Sequence, residues 1–280
     1  MSLEKTFGTA LNLLFPSDIY CAACGNLIDG TRPYALCDFC VREMEWHVGN
    51  TCSICGKALA PHRTGGICSE CCEWGRAFDA GISCCSYAGQ ARDLVRTMKY
   101  KDSAWIAGKL ADVMYDRWTQ LLKAGMIPKD YILSASSSYD SVYTAPAFIV
   151  VHVPMTETKK RKRGYDQAEI IARRLASLVG APFAGGILRR ALDTAVMSKL
   201  GAHERRVNME RAFEVDSRVR SLIAEGDPSF SHVMLVDDVF TTGSTADACS
   251  ATLKDVGVKR VILFTFASGA DMDQVGSGES

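Results

Sequence analysis

The run His232-Val-Met-Leu-Val-Asp237-Asp238-Val-Phe-Thr241-Thr242-Gly243-Ser244-Thr245 is compatible with few folds. It opens on an apolar stretch, Val233 to Val236, of the length expected for a strand buried on both faces of a parallel sheet. Two carboxylates follow at the strand's end. A loop of small hydroxyl residues around one glycine comes next, leading into a helical pattern from Ala246 to Val256 that stops at Gly257. Open parallel sheets bind ligands beyond the carboxyl ends of their strands, which puts Asp237 and Asp238 where a ligand sits. Backbone N–H groups and hydroxyls at a helix N-terminus cradle phosphate, and Gly243 lets the chain approach closely. Acids beside a phosphate cradle suit a sugar phosphate.

The front of the chain carries a second constraint. Of twelve cysteines, eight follow one rule: Cys21-x-x-Cys24 and Cys37-x-x-Cys40 are separated by a twelve-residue gap, and adding 31 to each number gives Cys52, Cys55, Cys68 and Cys71. Gly25 and Gly56 repeat as well, each directly after a Cys-x-x-Cys. Two such turns complete a four-thiolate shell, a preferred environment for structural zinc, whereas a redox pair or an iron–sulfur cluster does not account for the duplicated gap. Each half is too small to fold on apolar burial alone, so metal binding supplies its folding energy. Spacing leaves open whether the sites are sequential (21/24/37/40, then 52/55/68/71) or interleaved. Cys72, Cys84, Cys85 and Cys249 fall outside the repeat and read as packing residues, the repeat favouring Cys71 over the adjacent Cys72 as ligand; His47 and His62 read as surface or packing.

The remaining chain reads as alternating strands and helices. Residues 1–16 form an amphipathic docking helix ended by Pro16, too weakly basic and too short for a secretory signal, and no apolar run spans a membrane, which indicates a cytoplasmic protein. Phe78 to Ala88 is a strand, Ala91 to Tyr100 a short helix, and Ser103 caps a longer helix with apolar positions Ile106 to Leu122. Tyr131 to Pro146 has no period and reads as a surface loop. Phe148 to Val153 is a buried strand that runs into the connection bearing Lys159, Lys160, Arg161, Lys162 and Arg163, before Asp166 caps a helix with Glu169 as its capping-box partner. Five consecutive cations repel one another unless an anion meets them, a diphosphate or a nucleic-acid backbone. Net charge is zero at pH 7, so nucleic-acid binding has to come from such a local patch.

Val233 to Thr245 resembles the thirteen-residue signature by which type I phosphoribosyltransferases bind phosphoribosyl pyrophosphate (PRPP). The resemblance implies that Asp237 and Asp238 hold the ribose hydroxyls and that Thr241, Thr242, Gly243, Ser244 and Thr245 hold the 5′-phosphate. The order of the pieces resembles the ComF family, competence-associated proteins with a phosphoribosyltransferase-like domain. Leu11-x-x-Leu14-Phe15-Pro16, the double zinc ribbon, Met98-Lys99-Tyr100-Lys101-Asp102, Arg163-Gly164-Tyr165-Asp166-Gln167-Ala168-Glu169 and Arg205-Arg206-x-Asn208 to Phe213 carry the likeness. Lys101, Asp102, Asp166 and Met197 depart from it.

The resemblance implies an α/β fold: a type I phosphoribosyltransferase-like parallel sheet flanked by helices, with an N-terminal double zinc-ribbon module. The expected division is 1–16 helix, 17–75 zinc module, 76–269 phosphoribosyltransferase-like domain and 270–280 frayed tail. The implied reaction is Mg²⁺-dependent displacement of diphosphate from PRPP by a nitrogen acceptor, with Arg205 on a ligand-covering loop. The competing class is a non-catalytic PRPP- or nucleic-acid-binding factor. It would handle single-stranded DNA through Lys159 to Arg163, with Tyr165 available for stacking, or engage a DNA-processing protein through the zinc module.

Overall fold

A computed structural model describes residues 19–60, 63, 66–100, 103–134, 144–191 and 212–271. In chain order the helices are α1 (Asp38–Glu43), α2 (Ser69–Trp74), α3 (Gly89–Met98), α4 (Ala104–Lys123), α5 (Glu157–Arg163), α6 (Gln167–Val179), α7 (Ser217–Ala224) and α8 (Ser244–Asp255). The strands are β1 (Ala80–Ser86), β2 (Ile132–Ser134), β3 (Thr144–Pro146), β4 (Ile149–His152), β5 (Leu188–Arg190), β6 (Phe213–Val215), β7 (His232–Phe240) and β8 (Arg260–Ser268).

The central sheet has the order β1-β8-β7-β4, and every pairing in it is parallel. Its strands are buried on both faces, which accounts for unbroken apolar runs such as Ile149 to Val151 and Val261 to Phe264. One face packs against α3, α4 and α6 through Leu94, Ile106, Leu110, Ile171 and Leu175. The other packs against α8 through Val233, Leu235, Leu263, Ala248 and Leu253. Helix α6 forms where the sequence calls for it: the Asp166 side chain accepts from the Glu169 N–H at 3.2 Å, and Gly180 ends the helix in the left-handed region. Ser103 holds the N-cap position of α4, but its side chain makes no capping bond.

Both sheet edges are covered. On the β4 side, Phe183 bridges to Val150. On the β1 side, the segment joining the two cysteine repeats pairs antiparallel through Trp46 and Cys85, and the His47 N–H donates to the Cys84 carbonyl at 2.9 Å. Covering an edge removes a row of unpaired backbone groups that would otherwise recruit other chains. It also places the cysteine module astride the sheet. Cys21, Leu36, Cys40 and Met44 join the core of the first face, and Cys52, Cys55, Leu59, Cys68 and Cys71 that of the second. Gly56 and Gly81 make the second contact close: a Cβ on Gly56 would lie 2.5 Å from the Gly81 carbonyl oxygen, and one on Gly81 2.6 Å from that of Cys55.

Several expectations need correction. The stretch read as a surface loop contains β2 and β3, which pair antiparallel with Ile132 opposite Pro146. Cys84, Cys85 and Cys249 are packing residues, but Cys72 is exposed on the outer side of α2. Asp271, assigned to a frayed tail, is fully buried because the Ser69 hydroxyl donates to it at 2.7 Å and Arg63 lies 3.4 Å away. His47 is buried as a packing residue. The 1–16 helix and His62 lie outside the described residues. Among the described residues no helix is long and apolar enough to cross a membrane.

Candidate functional site

Strand β7 runs further than its apolar start suggests, pairing with β8 from His232 opposite Arg260 to Phe240 opposite Ser268. The two acids therefore sit inside its last half rather than after it. Asp237 lines a shallow, open depression with Thr241, Thr242, Gly243, Ser244, Thr245 and Thr265. Asp238 is absent from that lining and is 5% exposed. Lys99 Nζ lies 2.9 Å from Asp238 Oδ2, and Gln167 Nε2 donates to the same oxygen at 3.5 Å.

The environments of the two acids differ accordingly. Desolvation, then the neighbouring Asp238 carboxylate, pushes Asp237 well above the usual carboxylate range, and Lys99 opposes this only in part. Its Oδ1 still accepts the Asp238 N–H at 2.8 Å. A hydroxyl donor or a cation in the depression would relieve that strain.

The turn after β7 is shaped by Gly243, whose φ of +85° lies in the left-handed region. A Cβ there would also collide with Phe240 and Arg76, at 2.7 and 2.4 Å. Gly243 is the N-cap of α8 and contributes no capping side chain, which leaves the helix's first N–H groups available to an anion in the depression. Thr241, Thr242 and Ser244 are exposed around it, and the Thr242 and Ser244 hydroxyls lie 3.1 Å apart. The first-turn carboxylate, Asp247, turns away from the depression to accept from the Ala77 N–H and Arg76 Nη1, both at 3.0 Å.

The cationic run differs from expectation: Lys159, Lys160, Arg161, Lys162 and Arg163 lie on α5, a short helix, not on an irregular connection. The Thr156 hydroxyl caps it by accepting from the Lys159 N–H at 3.3 Å, and Gly164 closes it in the left-handed conformation. Its last-turn cations face the helix's own carbonyl end, which offsets part of their repulsion. No α5 residue is buried. Lys160 pairs with Glu169 at 3.3 Å, and Arg163 donates to Gln167, the residue that reaches Asp238. The Tyr165 hydroxyl donates to the Met98 and Tyr100 carbonyls, tying the Lys99 segment to this corner.

Lys99 and Gln167 were not assigned roles from the sequence. Both fall inside short stretches singled out there by resemblance, and only the fold brings them to Asp238. Arg205 lies outside the described residues.

The cysteines form two sequential clusters, Cys21, Cys24, Cys37, Cys40 and Cys52, Cys55, Cys68, Cys71, with all sulfurs of each within 4.8 Å of one another. Zn–S bonds of about 2.3 Å at tetrahedral angles put sulfurs about 3.8 Å apart. Cys24 and Cys37 lie 3.7 Å apart and Cys55 and Cys68 3.6 Å, so both sets fit zinc. Backbone N–H groups point at the sulfurs, from Cys37 to Cys21 at 3.4 Å and from Cys68 to Cys52 at 3.3 Å. The first cluster is open at Cys24, whereas the second is buried throughout.

The double zinc ribbon domain family matches residues 10–91, and the phosphoribosyl transferase domain family matches residues 161–274. Competence protein F of Haemophilus influenzae is 24% identical over 256 residues, covering 91% of this chain and 93% of that protein. DNA utilization protein YhgH of Salmonella typhi is 24% identical over 213 residues, covering 76% and 81%. Competence protein ComFC of Bacillus subtilis is 22% identical over 228 residues, covering 79% of each chain.

Proposed function

This chain belongs to the ComF family of competence-associated, phosphoribosyltransferase-like proteins, and from that premise we propose that it binds PRPP with Mg²⁺ and displaces diphosphate from it with a nitrogen acceptor. One observation carries the reading: Asp237 and the uncapped start of α8 line the same depression. The 5′-phosphate would take the N–H groups and hydroxyls of Thr241, Thr242, Gly243, Ser244 and Thr245. Asp237 would meet a ribose hydroxyl or Mg²⁺, either of which favours its ionised form. Asp238, already balanced by Lys99, would support positive charge developing on the ribose as the C1–O bond breaks. The C1–N bond then forms, the acceptor nitrogen gives up its proton, and diphosphate leaves toward the cations of α5.

We propose the chain's division on the same basis, with a zinc module over 17–75 and a transferase-like domain over 76–269. The zinc module's packing on both cores supports treating it as a brace for the sheet. A second reading, single-strand DNA binding, is favoured by α5 presenting its cations with no buried residue. Tyr165 suits it less well as a stacking platform, since its hydroxyl is engaged with backbone.

Titration calorimetry of the zinc-loaded chain with PRPP and Mg²⁺ is expected to give saturable heat, and a panel of bases is expected to reveal diphosphate release with at least one. Absence of heat removes the PRPP reading. In the same preparation, binding of a single-stranded oligonucleotide that weakens steeply with salt would support the second reading, and salt-independent or absent binding would count against it.

A further inference from the structure

Arg76 stands between the second cysteine cluster and the turn after β7, and it touches both. Its side chain is 4% exposed. Nε donates to Cys71 Sγ at 3.3 Å and Nη2 to Glu70 at 2.9 Å. Nη1 donates to the Thr242 carbonyl at 2.8 Å and to Asp247 at 3.0 Å. The guanidinium lies over the Phe240 ring, 5.3 Å from its centroid, and Lys57 Nζ is at the same distance from that ring while pairing with Glu70 at 2.8 Å. A guanidinium is a rigid planar fork, so its two ends cannot move independently. The turn has no slack against it, because any Cβ at Gly243 would meet Arg76.

The sulfur end of this fork changes character with the metal. A thiol is a weak acceptor, whereas a zinc-bound thiolate belongs to a shell of net negative charge and accepts a charge-assisted bond. Partners of this kind around a metal orient the ligands and are themselves oriented by them. The first cluster has a different neighbour, the Gln90 side chain 3.5 Å from Cys40, and that residue is on α3 at the opposite face of the sheet. We propose that Arg76 is a positioning residue that makes the order of the 241–247 turn depend on metal at Cys52, Cys55, Cys68 and Cys71, and not on metal at the first cluster. The coupling runs both ways, as linkage between two sites must. It stands whatever ligand the turn holds.

The test needs no ligand. In the full zinc-loaded chain, Arg76→Gln is expected to speed amide hydrogen exchange across 241–247 by about tenfold while leaving β8 and α6 unchanged. Zinc transfer to a chelator should show two phases, with Cys24→Ser identifying that of the first cluster. Asp247→Asn keeps an acceptor for the Ala77 N–H and replaces the oxygen facing Arg76 with an amide NH2, which removes both the charge and the acceptor there. It lies on the turn's side of the fork, so its effect on metal is a readout that a local role for Arg76 within the ribbon would not move. Several-fold faster release of second-cluster zinc in Asp247→Asn, with the first phase unchanged, is the expected result. Unchanged release in Asp247→Asn overturns the proposal, and so does exchange that rises uniformly across the sheet in Arg76→Gln. Should Arg76→Gln fail to fold, Asp247→Asn decides alone.

Discussion

Cys55→Ser is expected to lower the thermal midpoint by about 5–15 °C and to release the second zinc. Cys55 is fully buried, and its cluster belongs to the same core as Phe78, Val151, Leu235 and Phe240. Structural zinc contributes ~10–16 kcal/mol in small fingers, so losing one ligand of four costs about 2.5–4 kcal/mol if each carries an equal share. At ~2–4 °C per kcal/mol for a domain of this size, the shift follows. Cys24→Ser removes a ligand from the more open cluster and should shift the midpoint less. Calorimetry with zinc content measured on the same samples checks both. A Cys55→Ser protein that melts within ~2 °C of the parent would mean that the sheet does not depend on this metal.

That dependence was only half legible in the sequence. The eight cysteines announced their own partners because ligand spacing is local, and the structure resolves the remaining choice in favour of sequential sites. The strand, turn and helix from β7 to α8 were legible for the same reason, as was the Asp166 cap of α6. What spacing does not encode is contact between distant segments. Trp46 covering β1, Arg76 under the turn, Lys99 and Gln167 on Asp238, and Ser69 holding Asp271 across 202 residues all depend on the finished sheet. The α5 run failed for another reason. The run was placed on a connection between strand and helix, but the Thr156 cap and Gly164 terminator make it a short helix. The different surroundings of Asp237 and Asp238 likewise come from segments distant in sequence, with Lys99 and Gln167 on Asp238 and the turn after β7 beside Asp237.

The surroundings of Asp237 govern the second large effect. Asp237→Asn is expected to make the protein more stable at pH 7–8 while weakening Mg²⁺–PRPP binding on the order of 100-fold, the loss expected when a ligand forfeits a bond to a charged group. The stability argument follows from the carboxyl's raised position. The folded state holds a proton there that the unfolded chain releases, so folding stability falls as pH rises from the unfolded carboxylate value toward the folded one. At neutral pH the native protein either retains that proton or carries a desolvated charge beside Asp238, and an amide removes both penalties. The gain in midpoint over the parent should therefore be largest at pH 7–8 and shrink toward pH 4. Arrangements that trade stability for ligand charge are common where a site must bind cations or hydroxyls. Higher melting together with lost binding also separates this variant from one that is merely misfolded. An Asp237→Asn protein that binds PRPP like the parent would take Asp237 out of the site. One that melts lower at pH 8 would mean that its carboxylate is already satisfied in the empty depression.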